Sequence, residues 1–174
     1  MRRNRLRIGW VASLLVVAVF LVFPACSQKK PRDEDIIKKV IRDSFGWGLT
    51  KDRALFESVF AQDDDFFTYY PDSGRTVIGW NQFKKYLDNW MDPRNKVKGF
   101  EVRDLRLVVA KAGNAAWFSA VVDDEGEWDG KPWGSKDIRW TGVLEKRSGK
   151  WVIVQQHMSA AKDKVLEAFK KEKR

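Results

Sequence analysis

The chain has 174 residues, a formal net charge of +9, one histidine and one cysteine. One cysteine cannot form an intrachain disulfide, and one cysteine with one histidine cannot fill the positions of a zinc or transition-metal site built on these residue types. We expect no metal site and no cofactor. Four arginines near the start account for much of the charge, and residues 26–174 carry only +5. We expect no nucleic-acid binding, which requires a concentrated basic stripe with interleaved aromatic residues.

Residues 1–25 have the pattern of a secretory leader. The four arginines precede residues 8–23, a run of sixteen residues without charge, and the small residue Ala25 stands before Cys26. A positive start, a short apolar run and a small residue at its end are typical of signal peptides. A membrane-spanning helix needs about 20 apolar residues, so a retained anchor helix over residues 8–23 is the alternative prediction.

The Ala25–Cys26 pair at the end of the apolar run resembles the lipobox of bacterial lipoproteins. This resemblance implies that Cys26 is acylated and becomes the mature N-terminus, and that residues 26–32 form a tether. Ser27 in place of aspartate implies the outer membrane of a two-membrane cell, facing the periplasm. We therefore expect a cell-envelope protein that contacts the membrane through a lipid anchor.

Three helices are predicted in the first half of the chain that follows the leader. Residues 33–45 begin with acidic side chains, which favour a helix N-terminus, and continue with apolar residues at helical spacing. Gly46 and Gly48 weaken the end of this helix, and Thr50 can cap a second, short helix. Residues 80–90 carry the apolar stripe of a third helix.

A hairpin and four long strands complete the predicted elements. The hairpin joins residues 66–70 to residues 76–78. The long strands, in which apolar and polar residues alternate, are 98–110, 115–123, 137–146 and 151–158. The acidic residues 123–127 are predicted to form a solvated hairpin tip. Trp128 and Trp133 are predicted to lie in the loop beyond it, either at the rim of a pocket or packed against the domain. Helices followed by a meander indicate an α+β fold with helices on one face of a curved sheet.

Residues 161–174 are predicted to form a basic helical tail that contacts anionic lipid or a partner.

Several segments are distinctive in this order. They are residues 64–67 with 79–83, residues 115–119, residues 139–145 and residues 149–159. Together they resemble the nuclear transport factor two superfamily, also called SnoaL-like, over residues 33–160. This resemblance implies a cone-shaped, curved antiparallel sheet packed against three helices, a pocket on the concave side and a homodimer formed through the sheet. The last segment is similar to the association domain of calmodulin-dependent kinase type two.

The face on which His157 lies depends on the turn before its strand. In a three-residue loop, Gly149 takes the left-handed position and Trp140 lies opposite Gln156. In a two-residue loop, Trp140 lies opposite His157, because a slip of one residue moves every side chain to the other face. We favour the three-residue loop.

The favoured register divides the last two strands into a concave and an outer face. His157, Trp151 and Ile153 then lie on the outer face, where His157 is a structural or interface residue. The concave face carries Ile138, Trp140, Leu144, Val152, Val154, Gln156 and Met158.

Three functional hypotheses remain open, because this fold serves isomerases, cyclases, dehydratases, carriers and assembly modules. The first is a non-catalytic module that binds a small apolar or aromatic ligand in an aromatic pocket. The candidate contacts are Tyr69, Trp117, Trp140, Gln156 and Met158, with His157 as a further ligand contact.

The second hypothesis is an isomerase or dehydratase that uses a buried aspartate as its base, as resemblance to ketosteroid isomerases implies. The residues of suitable type are Asp65, Tyr69, Tyr70, Asp123 and Asp124, and the sequence identifies no catalytic residue among them. The third hypothesis is an assembly module whose cone is filled by its own side chains.

Overall fold

The computed structural model describes residues 32–71, 74 and 76–160. The leader, Cys26, most of the tether and the basic tail lie outside the described residues, and the predictions made for them stay predictions. In the part of the chain that is described, no helix is long and apolar enough to cross a membrane.

The described residues form four helical segments and six strands in the predicted α+β arrangement. The helices are α1 (Asp33–Thr50), α2 (Arg53–Val59), α3 (Trp80–Phe83) and α4 (Lys85–Met91); the strands are β1 (Phe67–Tyr69), β2 (Val77–Ile78), β3 (Asn95–Val109), β4 (Ala115–Trp128), β5 (Lys131–Arg147) and β6 (Lys150–Ser159). α3 and α4 adjoin and together occupy the place of the third predicted helix.

The strands form one curved sheet in the order β2-β1-β6-β5-β4-β3. β3 to β6 form the predicted antiparallel meander, and β1 with β2 forms the predicted hairpin. β1 pairs with β6 in parallel, so the sheet is mixed rather than wholly antiparallel. This parallel pair extends the sheet and brings side chains of the hairpin next to those of β6.

α1 continues through the two glycines that were expected to weaken it and ends at Thr50. A Cβ atom on Gly48 would lie 3.0 Å from Cγ2 of Val97, so the glycine permits close contact between α1 and β3. The predicted cap at Thr50 is wrong. Asp52 caps α2, and its Oδ1 accepts a hydrogen bond from the backbone N–H of Leu55 at 2.8 Å.

The turn between β5 and β6 differs from the favoured prediction. The loop contains only Ser148 and Gly149, whose φ angles are 48° and 79°. Positive φ at both central residues is the type I′ pattern that suits a two-residue hairpin. Arg147 accordingly pairs with Lys150, and this register without interruption would place Trp140 opposite His157.

A bulge in β6 then changes the phase of the strand. Val143 pairs with Gln155 and Leu144 with Ile153, which leaves Val154 outside the ladder. Because Val154 is one extra residue in β6, the side chains on its two sides no longer follow one alternation between the faces of the sheet.

The two-residue turn reverses the predicted faces at the start of β6, and the bulge restores them at its end, where Trp140 lies opposite Met158. Trp151 and Ile153 are buried on the concave side, contrary to the prediction, and Val152 points outward and is half-buried. His157 remains exposed on the outer face, as the favoured register placed it.

β4 and β5 stay paired well beyond their predicted ends. Trp128 pairs with Lys131, and the tip is formed by Asp129 and Gly130, whose φ angles are 50° and 76°. The acidic residues 123–127, predicted as a hairpin tip, therefore belong to β4. Trp128 and Trp133 accordingly lie in strands rather than in a loop.

A layer of aromatic rings joins the helices to the concave face of the sheet. The ring centroid of Phe83 lies 5.4 Å from that of Phe56, 5.0 Å from that of Phe60 and 4.7 Å from that of Phe66. Trp90 completes the group at 5.7 Å from Phe83. Each such pair contributes about 0.5–1.5 kcal/mol beyond the burial of its surface, so this layer is a large part of what holds the helices in place.

Gly126 offers a test of the long pairing of β4 with β5. A Cβ atom there would lie 2.4 Å from both the backbone oxygen of Lys96 and the ring of Trp133, whereas a Cβ atom on Gly99 would meet nothing closer than 3.7 Å. We expect Gly126→Ala to lower the free energy of unfolding by about 2 kcal/mol or more, through overpacking. The matched variant Gly99→Ala should stay within about 0.5 kcal/mol of wild type. Urea unfolding measures both, and equal effects would contradict the pairing.

Candidate ligand-binding cavity

A cavity of about 780 Å³ lies between the helices and the concave face of the sheet. Ligand sites commonly have volumes of about 300–1,000 Å³ and mainly apolar walls with a few polar groups. The aromatic residues that line the cavity are Phe45, Trp47, Phe56, Phe60, Tyr70, Phe83, Tyr86, Trp90, Trp128 and Trp133. The cone is therefore not filled by its own side chains, although its walls are densely aromatic.

A chain of hydrogen bonds fixes the polar part of the cavity wall formed by β5 and β6. Nε1 of the fully buried Trp140 donates to Oε1 of Gln156 at 3.2 Å. Nε2 of Gln156 in turn donates to Oη of Tyr70 at 3.4 Å. Phe118 packs edge-on against Trp140, with ring centroids 4.7 Å apart. Because burying an unpaired amide costs free energy, these bonds hold the Gln156 side chain in one orientation at the cavity.

Asp124 is the carboxylate on the cavity wall. It lies on the concave side of β4, opposite Ser135 of β5. Burial raises the pKa of the Asp124 carboxyl, and hydrogen bonds from the hydroxyl and backbone N–H of Ser135 oppose that rise. A carboxyl group in such surroundings can bind a cation, accept a hydrogen bond or exchange a proton with a ligand.

The neighbouring residue, Asp123, points to the opposite face and has a different environment. Its carboxylate pairs with Arg103 at 2.7 Å and with Lys136 at 3.6 Å. The backbone N–H of Asp137 donates to Asp123 at 2.8 Å, and this bond, with those from the basic side chains, holds the Asp123 pKa below its ordinary value. Asp123 is therefore a structural anion that ties together three strands.

Two basic side chains lie near the cavity, and both are engaged elsewhere. The ammonium group of Lys51 donates to the backbone oxygens of Trp90 and Asp92. The guanidinium group of Arg94 pairs with Asp92 at 2.7 Å and lies 5.1 Å above the ring of Trp128. Within the described ranges, no lysine, arginine or histidine lines the cavity.

The structure brings together some of the residues selected from the sequence and separates others. Gln156 and Met158 line the cavity, and Trp140 lies directly behind Gln156. Tyr69 and Trp117 lie outside the cavity on the outer face, where 41% and 51% of their surfaces are exposed.

His157 also lies outside the cavity, since it shares the outer face with Tyr69, and their ring centroids are 5.7 Å apart. Strand alternation is the reason for these placements, because Tyr70 rather than Tyr69 faces the concave side of the hairpin. Candidate ligand contacts on the outer face therefore do not form one site with those in the cavity.

The sequence left Trp128 and Trp133 open as pocket-rim or packing residues of a loop, and it did not place them in strands beside Asp124. Trp128 and Trp133 line the cavity, and Asp124 lies between them and the base of the cone. The signal was present as an aspartate–glycine pair at residues 129–130, which favours a two-residue turn. The cluster of acidic residues before it suggested solvent exposure and masked that signal.

The outer face of the sheet carries a second, shallower concavity of about 440 Å³. Trp117, Val108 and Val143 provide its apolar part, and Arg106 and Gln155 its polar part. Large exposed apolar side chains on this face are unusual for a surface that meets only water.

The chain matches the SnoaL-like domain family over residues 37–163. An NTF2-like protein from Cytophaga hutchinsonii is 15% identical, with a TM-score of 0.61 over 75% of this chain and 100% of that one. The association domain of C. elegans calmodulin-dependent kinase II is 18% identical, with a TM-score of 0.58 over 73% of this chain and 95% of that one.

A third similar structure, from Shewanella frigidimarina, is named as a candidate ketosteroid isomerase. It is 19% identical, with a TM-score of 0.53 over 70% of this chain and 92% of that one. No curated protein matches the chain significantly in sequence. At these identities the structural likeness establishes the fold alone.

The two adjacent aspartates should respond to pH with opposite signs. The pKa of Asp124 is raised in the folded state, so its ionisation destabilises the fold as pH rises above the unfolded value of about 3.9. The pKa of Asp123 is lowered, so its ionisation stabilises the fold over the same change and this stability is lost as pH falls. We expect Asp124→Asn to raise the melting temperature at pH 7 and Asp123→Asn to lower it.

The Asp124→Asn difference should shrink towards zero below the unfolded value of about 3.9, whereas the Asp123→Asn difference should vanish only below the lowered pKa of folded Asp123. Thermal unfolding at a series of pH values measures them. Shifts of the same sign at pH 7 would show that the two carboxylates do not occupy opposite environments.

Proposed function

The chain belongs to the SnoaL-like domain family, and we propose that its domain is a binding module that takes one small apolar or aromatic ligand in the concave cavity. The observation that carries this proposal is the open volume of about 780 Å³ behind an aromatic wall. An assembly module with a filled cone would not need this space. The few polar groups that reach the wall, chiefly Asp124, Gln156 and Tyr70, would orient the ligand rather than provide most of its binding free energy.

The cavity can be tested by filling it. Val122 lines the cavity and is buried, whereas Val121 next to it points to the outer face. We expect Val122→Phe to abolish saturable binding of the neutral fluorescent probe N-phenyl-1-naphthylamine, because the added ring occupies the ligand volume. The matched variant Val121→Phe should bind the probe as wild type does.

Fluorescence titration measures this binding, and circular dichroism checks that both variants are folded. Absence of saturable binding by the wild type, or equal binding by folded Val122→Phe, would contradict the proposal.

The raised pKa of Asp124 favours a second candidate function, acid–base catalysis in the same cavity. A carboxylate with a pKa nearer to neutrality is a better proton acceptor from a carbon acid. In an isomerisation, Asp124 would take a proton from the carbon next to a carbonyl group and return it to another carbon of the same ligand. The Shewanella frigidimarina structure makes a Δ5-3-ketosteroid a reasonable first substrate.

With that substrate, Asp124→Asn should lower the rate of isomerisation by about 100-fold or more. Asp123→Asn should leave the rate unchanged, because Asp123 faces away from the cavity. The change in ultraviolet absorbance on conjugation measures the rate. Turnover that persists in Asp124→Asn would remove Asp124 from the role of base, and no turnover by the wild type would leave the binding module as the proposed function.

The cellular setting and the assembly are further parts of the proposal. The leader pattern supports a cell-envelope lipoprotein anchored through Cys26. Mass spectrometry of the mature N-terminus tests this by showing either an acylated Cys26 or an unprocessed start.

The exposed side chains of Phe67, Tyr69, Val108 and Trp117 support a homodimer formed through the outer face. Sedimentation of wild type and Trp117→Lys tests the dimer, and a wild-type monomer would contradict it.

A further inference from the structure

The cavity combines aromatic walls, one carboxylate and no described basic residue. The face of an aromatic ring carries partial negative charge and attracts cations. A carboxylate that is removed from water and lacks a cationic partner is costly, and a ligand with a positive charge would offset that cost. The charge pattern of the cavity wall is thus complementary to a cation rather than to an anion.

The environment of Asp124 differs from that of other carboxylates on this part of the sheet. Asp123 and Glu127 each pair with two basic side chains, and Asp92 pairs with Arg94. Asp124 lies opposite Ser135 in the β4–β5 pair, and none of the ion pairs found among the described residues involves Asp124. Asp124 is therefore a carboxylate on the cavity wall with which a positively charged ligand could form an ion pair.

The tryptophans lie where they could share that cation. Trp133 covers Gly126, since its ring is 2.4 Å from the position of a Cβ atom there. Gly126 is the next concave-side position after Asp124, and positions two residues apart on a strand are about 7 Å apart. A compact cationic group between them would contact the carboxylate and the indole face together.

The neighbouring ring already shows the same contact with a side chain. The guanidinium group of Arg94 lies 5.1 Å above the ring of Trp128, which also lines the cavity. Arg94 is at the same time bonded to Asp92 through two nitrogens, at 3.0 and 2.7 Å. Arg94 thus contacts an aromatic ring and a carboxylate at the same time, which is the arrangement proposed below for the ligand.

A metal ion would not suit the same surroundings. Calcium and magnesium require several oxygen ligands, and in the described ranges no three His, Cys, Asp or Glu side chains are grouped to hold a metal. The walls instead match the carbon body of an organic molecule.

From these contacts we infer that the cavity binds an organic cation, an amine or quaternary ammonium with an apolar or aromatic body, whose charge lies between Asp124 and Trp133. This inference rests on the proposed binding function and specifies its ligand class. The aromatic side chains of the cavity would contact the apolar part of the ligand, and Asp124 would favour a positively charged ligand over a neutral one.

A pair of probes with the same shape tests the inference with the full chain. Benzyltrimethylammonium carries a positive charge, and neopentylbenzene is its neutral carbon isostere. We expect the wild type to bind the cation at least tenfold more tightly than the isostere, as measured by quenching of tryptophan fluorescence. Asp124→Asn should remove this preference by weakening the cation and not the isostere, and Asp123→Asn should preserve it.

The outcomes separate the inference from the proposed function. Equal affinities of the two probes for the wild type, with both lost in Val122→Phe, would overturn the organic-cation inference and leave the binding cavity in place. A preference for the cation that persists in folded Asp124→Asn would also overturn the inference. Failure of both probes and of N-phenyl-1-naphthylamine to bind the wild type would overturn the proposed function, and the inference with it.

Discussion

The long pairing of β4 with β5, which a bulge in β5 opposite Asp123 interrupts and which extends to the pair formed by Trp128 and Lys131, is the constraint on which the candidate site depends. Alternation along a strand leaves two faces, and the register decides which residues share each face. In β4 it places Asp123 outward, beside Arg103, and Asp124 inward, beside Ser135. A slip of one residue would point Asp123 into the cavity and Asp124 to the outer face. The carboxylate on the cavity wall would then be the one that pairs with Arg103 in the present register.

Aromatic packing explains why a cavity remains under the helices. Phe56, Phe66 and Phe83 pack closely where α2 and α3 meet the sheet. These rings are in contact, so they set the distance between the helices and the sheet beside the cavity. Gln156 then adds a fixed polar point through its bond to Trp140. The result is a cavity with mainly aromatic walls and few polar groups.

The outer face of the same sheet has a different character. It carries the ion pairs of Arg103 as well as exposed apolar residues such as Trp117. A fold with two usable faces is consistent with the variety of proteins that resemble this chain, which includes an association domain and a candidate isomerase. The likeness identifies the fold, while the function depends on the side chains at each face.

Much of the fold was predictable, because helical periodicity, strand alternation and their order are properties of the local sequence. The α+β class and the positions of the helices and central strands were confirmed. The β5–β6 register was not predictable, because Gly149 suits both a two-residue and a three-residue loop. The bulge at Val154 has no mark in the sequence, since it depends on how β6 meets its neighbours.

The site was less predictable than the fold for a physical reason. Of the selected residues, Gln156 and Met158 line the cavity, whereas Tyr69 and Trp117 lie outside it. Placing a side chain on the correct face requires the register to within one residue. Asp124 was considered as a catalytic type but was placed in a solvated tip, because its environment depends on the full length of β4.

The most direct test of this account is a carbon-13 NMR titration of the aspartate carboxyl groups in the full chain, with Asp123→Asn and Asp124→Asn used for assignment. We expect Asp124 to titrate above the ordinary value of about 3.9 and Asp123 below it. Addition of benzyltrimethylammonium should lower the pKa of Asp124 and leave that of Asp123 unchanged. Two aspartates that titrate together near 3.9, as they would in a solvated hairpin tip, would contradict the buried carboxylate and the cavity built around it.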